Sequence, residues 1–501
     1  MTTIATLPQD GGLHGEQSHY DSPKPDEESD HIEDVSPFGK TSREDVEGGL
    51  SNIPSTVDPN NPLNSPEWKK DINLILISFH AMMTNFIGAG IIPVYATFAE
   101  KFGVSIQDVS YFTSIHILCT GIAPFVLLPL SRRFGRRPVW LISTLCTAVC
   151  NIGCAESNSY AAMLICRIIG SLFLAAPIAL GPPVVVEMYR EQERGYKLGI
   201  WTVLVTLGPP VGPFIMGFVA QRAGWEWIYW TFAIISGVQF FLYFFFSPET
   251  RYIAPGPIEH SKTGKTGVRQ YLTFRRIDPT PFTAKEMYHP FLRAKHIRIA
   301  LPICSHSMIF CLSAALLTVE IPQLFGPRFG FNSEQIGLQF LGIIVGTVTG
   351  EMANAILHKL LRARAAKPND SHVRLSWYIS LSYVGFVCMV VGLVVFCIQL
   401  DHTAPMHYNV TPIVGVGIAG FGNQVVSNFL INYIMEFEPE HAALTSVLLG
   451  LIRQTWCFIG PFWFPSMFET LGFSGSAGLL VGLVVVSCVS LIWMQWKYKH
   501  L

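Results

Sequence analysis

Half of the 501 residues are hydrophobic and only 14% are charged, against about a quarter charged in an ordinary soluble domain, and the mean hydropathy is +0.38. The formal charge of −1 hides a split: residues 1–65 carry 13 acidic and 3 basic side chains, and the remaining 436 carry 22 and 31. This composition excludes a water-soluble enzyme and points to an all-α polytopic membrane protein behind an acidic tail.

The tail, residues 1–65, is rich in Ser, Pro and Gly. It has too little apolar surface to offset its chain entropy and is expected to be disordered. No signal-peptide pattern precedes the first apolar run, which begins after Lys69 and Lys70. A helix needs roughly 20 apolar residues to cross hydrocarbon. Runs of that kind are expected at 72–98, 107–130, 138–155, 160–187, 197–220 and 227–247, then at 299–325, 334–357, 376–400, 410–435, 442–468 and 474–496. The sequence thus predicts twelve spans in two sets of six: an N-terminal bundle over 66–250, a polar central loop over 251–295 and a C-terminal bundle over 296–501. If the tail is cytoplasmic, the inner loops and the C-terminus hold 24 Lys or Arg and the outer loops hold three, Lys101, Arg222 and Arg328. That is the asymmetry the positive-inside rule requires, and it puts both termini in the cytoplasm.

Ionisable groups inside a membrane are costly and are functional candidates by default. The first span offers His80 and the polar Asn85, the second His116, the fourth Arg167 and the seventh His306. Histidine suits a proton relay, although a lone histidine on an apolar face is more often a hydrogen-bonded core residue. In the fifth span Gly208-Pro209-Pro210, Gly212-Pro213 and Gly217 interrupt the helix pattern; close helix packing alone accounts for glycines so placed. Late in the seventh span Glu320 is followed by Ile321 and Pro322, where the helix is expected to break. A carboxylate stripped of water there suits proton exchange or attraction of a cation; the alternative is a solvated residue at the outer boundary.

Gln339 in the eighth span and Asn423 in the tenth are polar without charge. Also in the tenth span, Gln424, Asn428 and Asn432 stand one turn apart and form a polar stripe that should avoid lipid. Tyr433, Trp456 and Phe86 are candidate walls for a ring-bearing or cationic substrate. Arg453 in the eleventh span reads as a packing or gate residue.

All eleven cysteines lie in apolar stretches, without metal-type spacing. There is no Walker loop, HExxH or histidine box, so no ATP hydrolysis, metal or other cofactor is expected, and no nucleic-acid partner. The sequon Asn409-Val410-Thr411 is weakened by Pro412.

The loop between the second and third spans reads Pro129-Leu130-Ser131-Arg132-Arg133-Phe134-Gly135-Arg136-Arg137-Pro138. It resembles the Gly-x-x-x-Asp-Arg-x-Gly-Arg-Arg signature of the major facilitator superfamily, and the Gly-Pro pairs of the fifth span resemble the antiporter motif of its drug:proton branches. Asn61-Pro62, Glu67-Trp68-Lys69-Lys70, Arg167-Ile168-Ile169-Gly170, Glu193-Arg194-Gly195, Pro248-Glu249-Thr250 and Asn432-Tyr433 are similar to the fungal 12-span drug:proton antiporters. The resemblance implies the major facilitator fold. It also implies a plasma-membrane monomer that exchanges protons for a small organic molecule, with Arg167 in proton coupling and Arg133, Gly135, Arg136 and Arg137 at an inner gate. Two positions depart from the family: Arg132 replaces the acidic residue of the loop signature, and Met216-Gly217 replaces a Gly-Gly pair. Glu187 is then the available partner for Arg136. Uptake of an organic cation or nutrient, and a transport-dead sensor, are the alternative functions.

Overall fold

In hydrocarbon a backbone must satisfy its own polar groups, so long apolar runs become helices. The computed structural model of the chain describes residues 61–251, 285–364, 371–438 and 441–498. The acidic tail up to residue 60 and loop residues 252–284 lie outside these, as does Lys367. Among the described residues there is no strand.

Eleven helical segments are long and apolar enough to span. In chain order they are α1 (Glu67–Phe102), α2 (Ile106–Phe134), α3 (Arg136–Ala155), α4 (Tyr160–Met188), α5 (Glu193–Ala223), α6 (Glu226–Phe246), α7 (Ile297–Phe329), α8 (Ser333–Leu360), α9 (Leu375–His402) and α10 (Thr411–Phe437). A further helix, α11 (Ala442–Ile459), occupies the place of the expected eleventh span, and α12 (Phe464–Lys497) completes the set. Of the twelve expected spans, eleven are matched among the described residues by helices long and apolar enough to cross, and α11 stands where the remaining one is expected. The 18 residues of α11 reach about 27 Å at 1.5 Å per residue, within the range of lengths that cross a hydrocarbon core.

Three local expectations change. The run 442–468 is not one helix: Gly460–Phe462 forms a 3-10 turn after Ile459, and α12 is itself broken at Gly472, whose φ of 67° is left-handed. The central loop is not wholly irregular, because Lys285–Leu292 is a short helix followed by a turn at Arg293–Lys295. The seventh helix does not break at Pro322. It runs helically over Leu316–Phe329 and carries its irregularity earlier, as a π-turn at Cys311–Ala315. Pro322 removes only the donor that the Thr318 carbonyl would have used.

The first six helices pack among themselves through α1 on α5, α3 on α4 and α6, and α2 on α4. The last six pack through α10 on α8 and α9, α12 on α9, and α7 on α10, α11 and α12. The two groups meet where α2 packs on α11 and α5 on α8. The Leu316–Phe329 part of α7 also packs against Ile92–Val94, Tyr95–Phe102 and α2. Lipid supplies no hydrophobic drive between helices, so close backbone approach has to do that work. On α8, Gly342, Gly346 and Gly350 recur every fourth residue and face α10; a Cβ on Gly346 would overlap the Gly417 carbonyl oxygen.

Candidate functional site

The break in α1 after Ala89 leaves carbonyls at its end without helical donors. One of them, Gly88, accepts from Arg167 Nη2 at 3.2 Å, while Arg167 Nε donates to the Phe112 carbonyl at 3.0 Å. Arg167 thus ties α4 to α1 and α2 while it is itself buried. Beside it His116 Nδ1 lies 2.7 Å from Ser171 Oγ, and Gly88 leaves room for the imidazole, because a Cβ there would overlap the ring. Tyr95 donates to Thr113 Oγ1 at 2.6 Å.

Glu320 is fully buried (0% exposed), so it is not at a water boundary. Its Oε1 accepts from Gln323 Nε2 at 3.2 Å, and Oε2 has no partner. It sits on the part of α7 that meets the first helix group. His80 Nδ1 lies 3.2 Å from the Tyr243 hydroxyl, with the ring against Trp140. His306 Nε2 lies 3.1 Å from Ser427 Oγ. Each of these three histidines uses one ring nitrogen and buries the other without a partner. Arg453 sits over the Phe310 ring at 4.7 Å. Asn85 donates to the Val205 carbonyl at 3.0 Å and pins α1 to α5. Phe86 meets Phe232 edge-on and Tyr433 stacks on Phe437.

The polar stripe of α10 faces α8. Gln424 Nε2 donates to Glu351 Oε1, and Asn354 Nδ2 donates to the Gln424 carbonyl at 3.2 Å. One turn on, His358 Nε2 lies 2.7 Å from Asn428 Oδ1 and 3.4 Å from Asn432 Nδ2. Glu351, Asn354 and His358 are the residues that sequence reasoning missed. Their spacing of three and four puts them on one helix face, a signal that acquires meaning only opposite the α10 stripe.

At the end that carries the basic loops, Gly135 turns the chain between α2 and α3 with φ 94°. The first two amides of α3, Arg136 N and Arg137 N, donate to the two oxygens of Glu249 at 2.8 and 3.0 Å. This carboxylate at a helix N-terminus satisfies orphan donors, a role that the Pro-Glu-Thr motif alone does not reveal. Burial raises the Glu249 pKa above the usual carboxylate value, against the pull of these amides. Arg136 pairs with Glu187 at 2.7 Å, and Glu187 also accepts from Thr250. Arg133 donates to the Pro129 carbonyl and Arg137 to that of Phe244.

At the opposite end the two helix groups touch. Tyr111 stacks on Phe462 at 4.6 Å and Arg222 stands 3.7 Å from Glu334; midway along α2, Gln454 of α11 donates to Thr120 at 2.8 Å. The motif glycines divide between two seams. A Cβ on Gly208 or Gly212 would meet the α1 carbonyls of Met82 or Phe86, and one on Gly217 would stand 2.6 Å from the Ser333 carbonyl of α8. Pro209 and Pro213 lie inside the α5 helix without breaking it.

Residues 74–461 match the model of the Major Facilitator Superfamily. The chain belongs to that superfamily. It is a multi-pass membrane transporter of the major facilitator fold. Among its relatives, the MFS transporter fsa7 of Fusarium sp. (strain FN080326) is 26% identical over 88% of this chain and 86% of its own. The efflux pump radE of Floropilus chiversii is 24% identical over 85% and 80%. A solved structure of the peptide transporter POT superposes on 85% of this major facilitator chain and 94% of its own with a TM-score of 0.61 at 14% identity, which is a likeness of fold.

Proposed function

We propose that the protein exports a small organic molecule (a drug, toxin or secondary metabolite) in exchange for protons, by alternating access. The observation that carries this reading is the burial of Glu320 on the stretch of α7 that packs against the other helix group. A carboxylate held between two groups that must part changes its solvation in each cycle, which couples proton occupancy to the conformation. The name of the relative radE, an efflux pump, favours export. On this reading the basic end faces the cytoplasm, in accord with the loop charges, and the membrane is the plasma membrane. Arg167 holds the first group together around His116 rather than carrying substrate.

The test is transport of a substrate panel in sealed vesicles of known orientation, with a pH gradient imposed and then collapsed. Flux away from the basic end that stops with the gradient, and that is lost in Glu320→Gln while the variant still reaches the membrane, is expected. Flux indifferent to pH overturns the coupling. Inward flux moves the assignment to uptake, and silence across the panel favours a sensor.

A further inference from the structure

A cleft between α5 and α8 is lined by Val203, Leu207, Thr347, Val348, Met352, Ala355 and one charged side chain, Glu351. Among the described residues no ion pair neutralises Glu351: its carboxylate takes amide donors from Gln424 and Asn354. The neighbouring Asn354 is 1% exposed, and its orientation is fixed because Nδ2 donates to the Gln424 carbonyl. That leaves Asn354 Oδ1 buried without a donor. The surplus on this face of α8 is therefore of acceptors: a carboxylate with capacity for further donors and an unsatisfied amide oxygen. Buried acceptors of this kind are costly until donors reach them. The cleft beside them is otherwise almost wholly apolar.

We propose that Glu351, held in place by Gln424 and Asn354, is the head-group subsite for a protonated organic amine, whose apolar body lies along Val203, Leu207, Val348 and Met352. An ammonium with N–H bonds fits better than a quaternary one, because only the former can donate to the carboxylate while placing its charge on it. The α5 wall belongs to one helix group and the α8 wall to the other, so an occupant would touch both. The inference rests on the transporter reading and narrows its substrate class.

Equilibrium binding to the full chain in lipid nanodiscs tests this with three radiolabelled probes: 2-phenylethylamine, its N-trimethyl derivative and 2-phenylethanol. Saturable binding is expected for the primary amine, weaker by several-fold for the trimethyl derivative and weaker still for the alcohol. Glu351→Gln should weaken the amine at least tenfold and leave the alcohol unchanged. Should Glu351→Gln fail to fold, Val203→Trp fills the cleft from the α5 side and should abolish amine binding. The proposal is overturned by amine binding no tighter than that of the alcohol, or by equal amine binding in wild type and Glu351→Gln or Val203→Trp. Vesicle flux of neutral or acidic compounds without amine binding would sink the subsite and leave the transporter reading intact. Amine binding with no flux of any compound would do the reverse.

Discussion

Arg136 Nη2 stands 2.7 Å from Glu187 Oε1, and the backbone N–H of the same arginine donates to Glu249 at 2.8 Å. One residue at the start of α3 is thereby bound to the ends of α4 and α6. The superfamily signature has an acid at position 132, where this chain has arginine. Glu187 and Glu249 supply the acidic partners of Arg136 from other parts of the chain. Both carboxylates lie far from Arg136 in sequence, and the clamp joins three elements of the first group at the basic end.

Breaking this buried pair from either side should be destabilising, and breaking it from both sides should cost less than the sum. Arg136→Met and Glu187→Gln, measured by thermal unfolding of purified protein, are expected to lower Tm singly. The double-mutant cycle should give a coupling of about 1–3 kcal/mol. Strict additivity would show that the pair contributes nothing.

Glycine positions separate into those that set helix spacing and those that do not. Gly346→Ala puts a methyl group into the Gly417 carbonyl and should abolish the monodisperse folded peak in size-exclusion chromatography. Gly478→Ala, where nothing lies within 4 Å of the new carbon, should keep that peak and raise Tm slightly, since alanine favours helix. Equal behaviour of the two would refute the packing argument.

The sequence made the helices legible because apolar length and loop charge are local properties. It also made Arg167, Glu320 and the α10 stripe legible, since polar groups stand out in apolar runs. Glu351 stands out no less, between Gly350 and Met352, yet it acquires a partner only when α8 lies on α10. Span ends were harder to read. Gly460-Pro461 lies inside the expected run 442–468, and the structure uses it to end α11. The helical character of Lys285–Leu292 was masked by its polarity and by Pro290.

Buried polar groups offer a paired comparison. Ser171 is bound to His116 at 2.7 Å, so Ser171→Ala orphans the imidazole and should cost about 1–3 kcal/mol. Ser78 is buried with an unpartnered hydroxyl, so Ser78→Ala should be neutral or stabilising. Tm values of the two variants check this; a larger loss at Ser78 would contradict it.

The stack of Tyr111 on Phe462 joins α2 to the turn after α11 at the end opposite the basic loops. If the groups must part there during transport, cysteines at both positions should form a disulfide under mild oxidation that stops flux. Reductant should restore it. Flux undiminished by a complete cross-link would mean that this end does not open.

The glycine face of α8 has a mechanical meaning. A seam in which one backbone rests on another has no rotamers to adjust and no side chain to stretch, so it has no intermediate setting. Helices α8 and α10 are docked or separated, and a transport cycle has to carry them as a single beam. Sliding is left to seams lined by rings and long side chains, such as α2 against α11. The carboxylate of Glu351 therefore travels with its Gln424 donor through every state, and what changes around it is the wall contributed by α5.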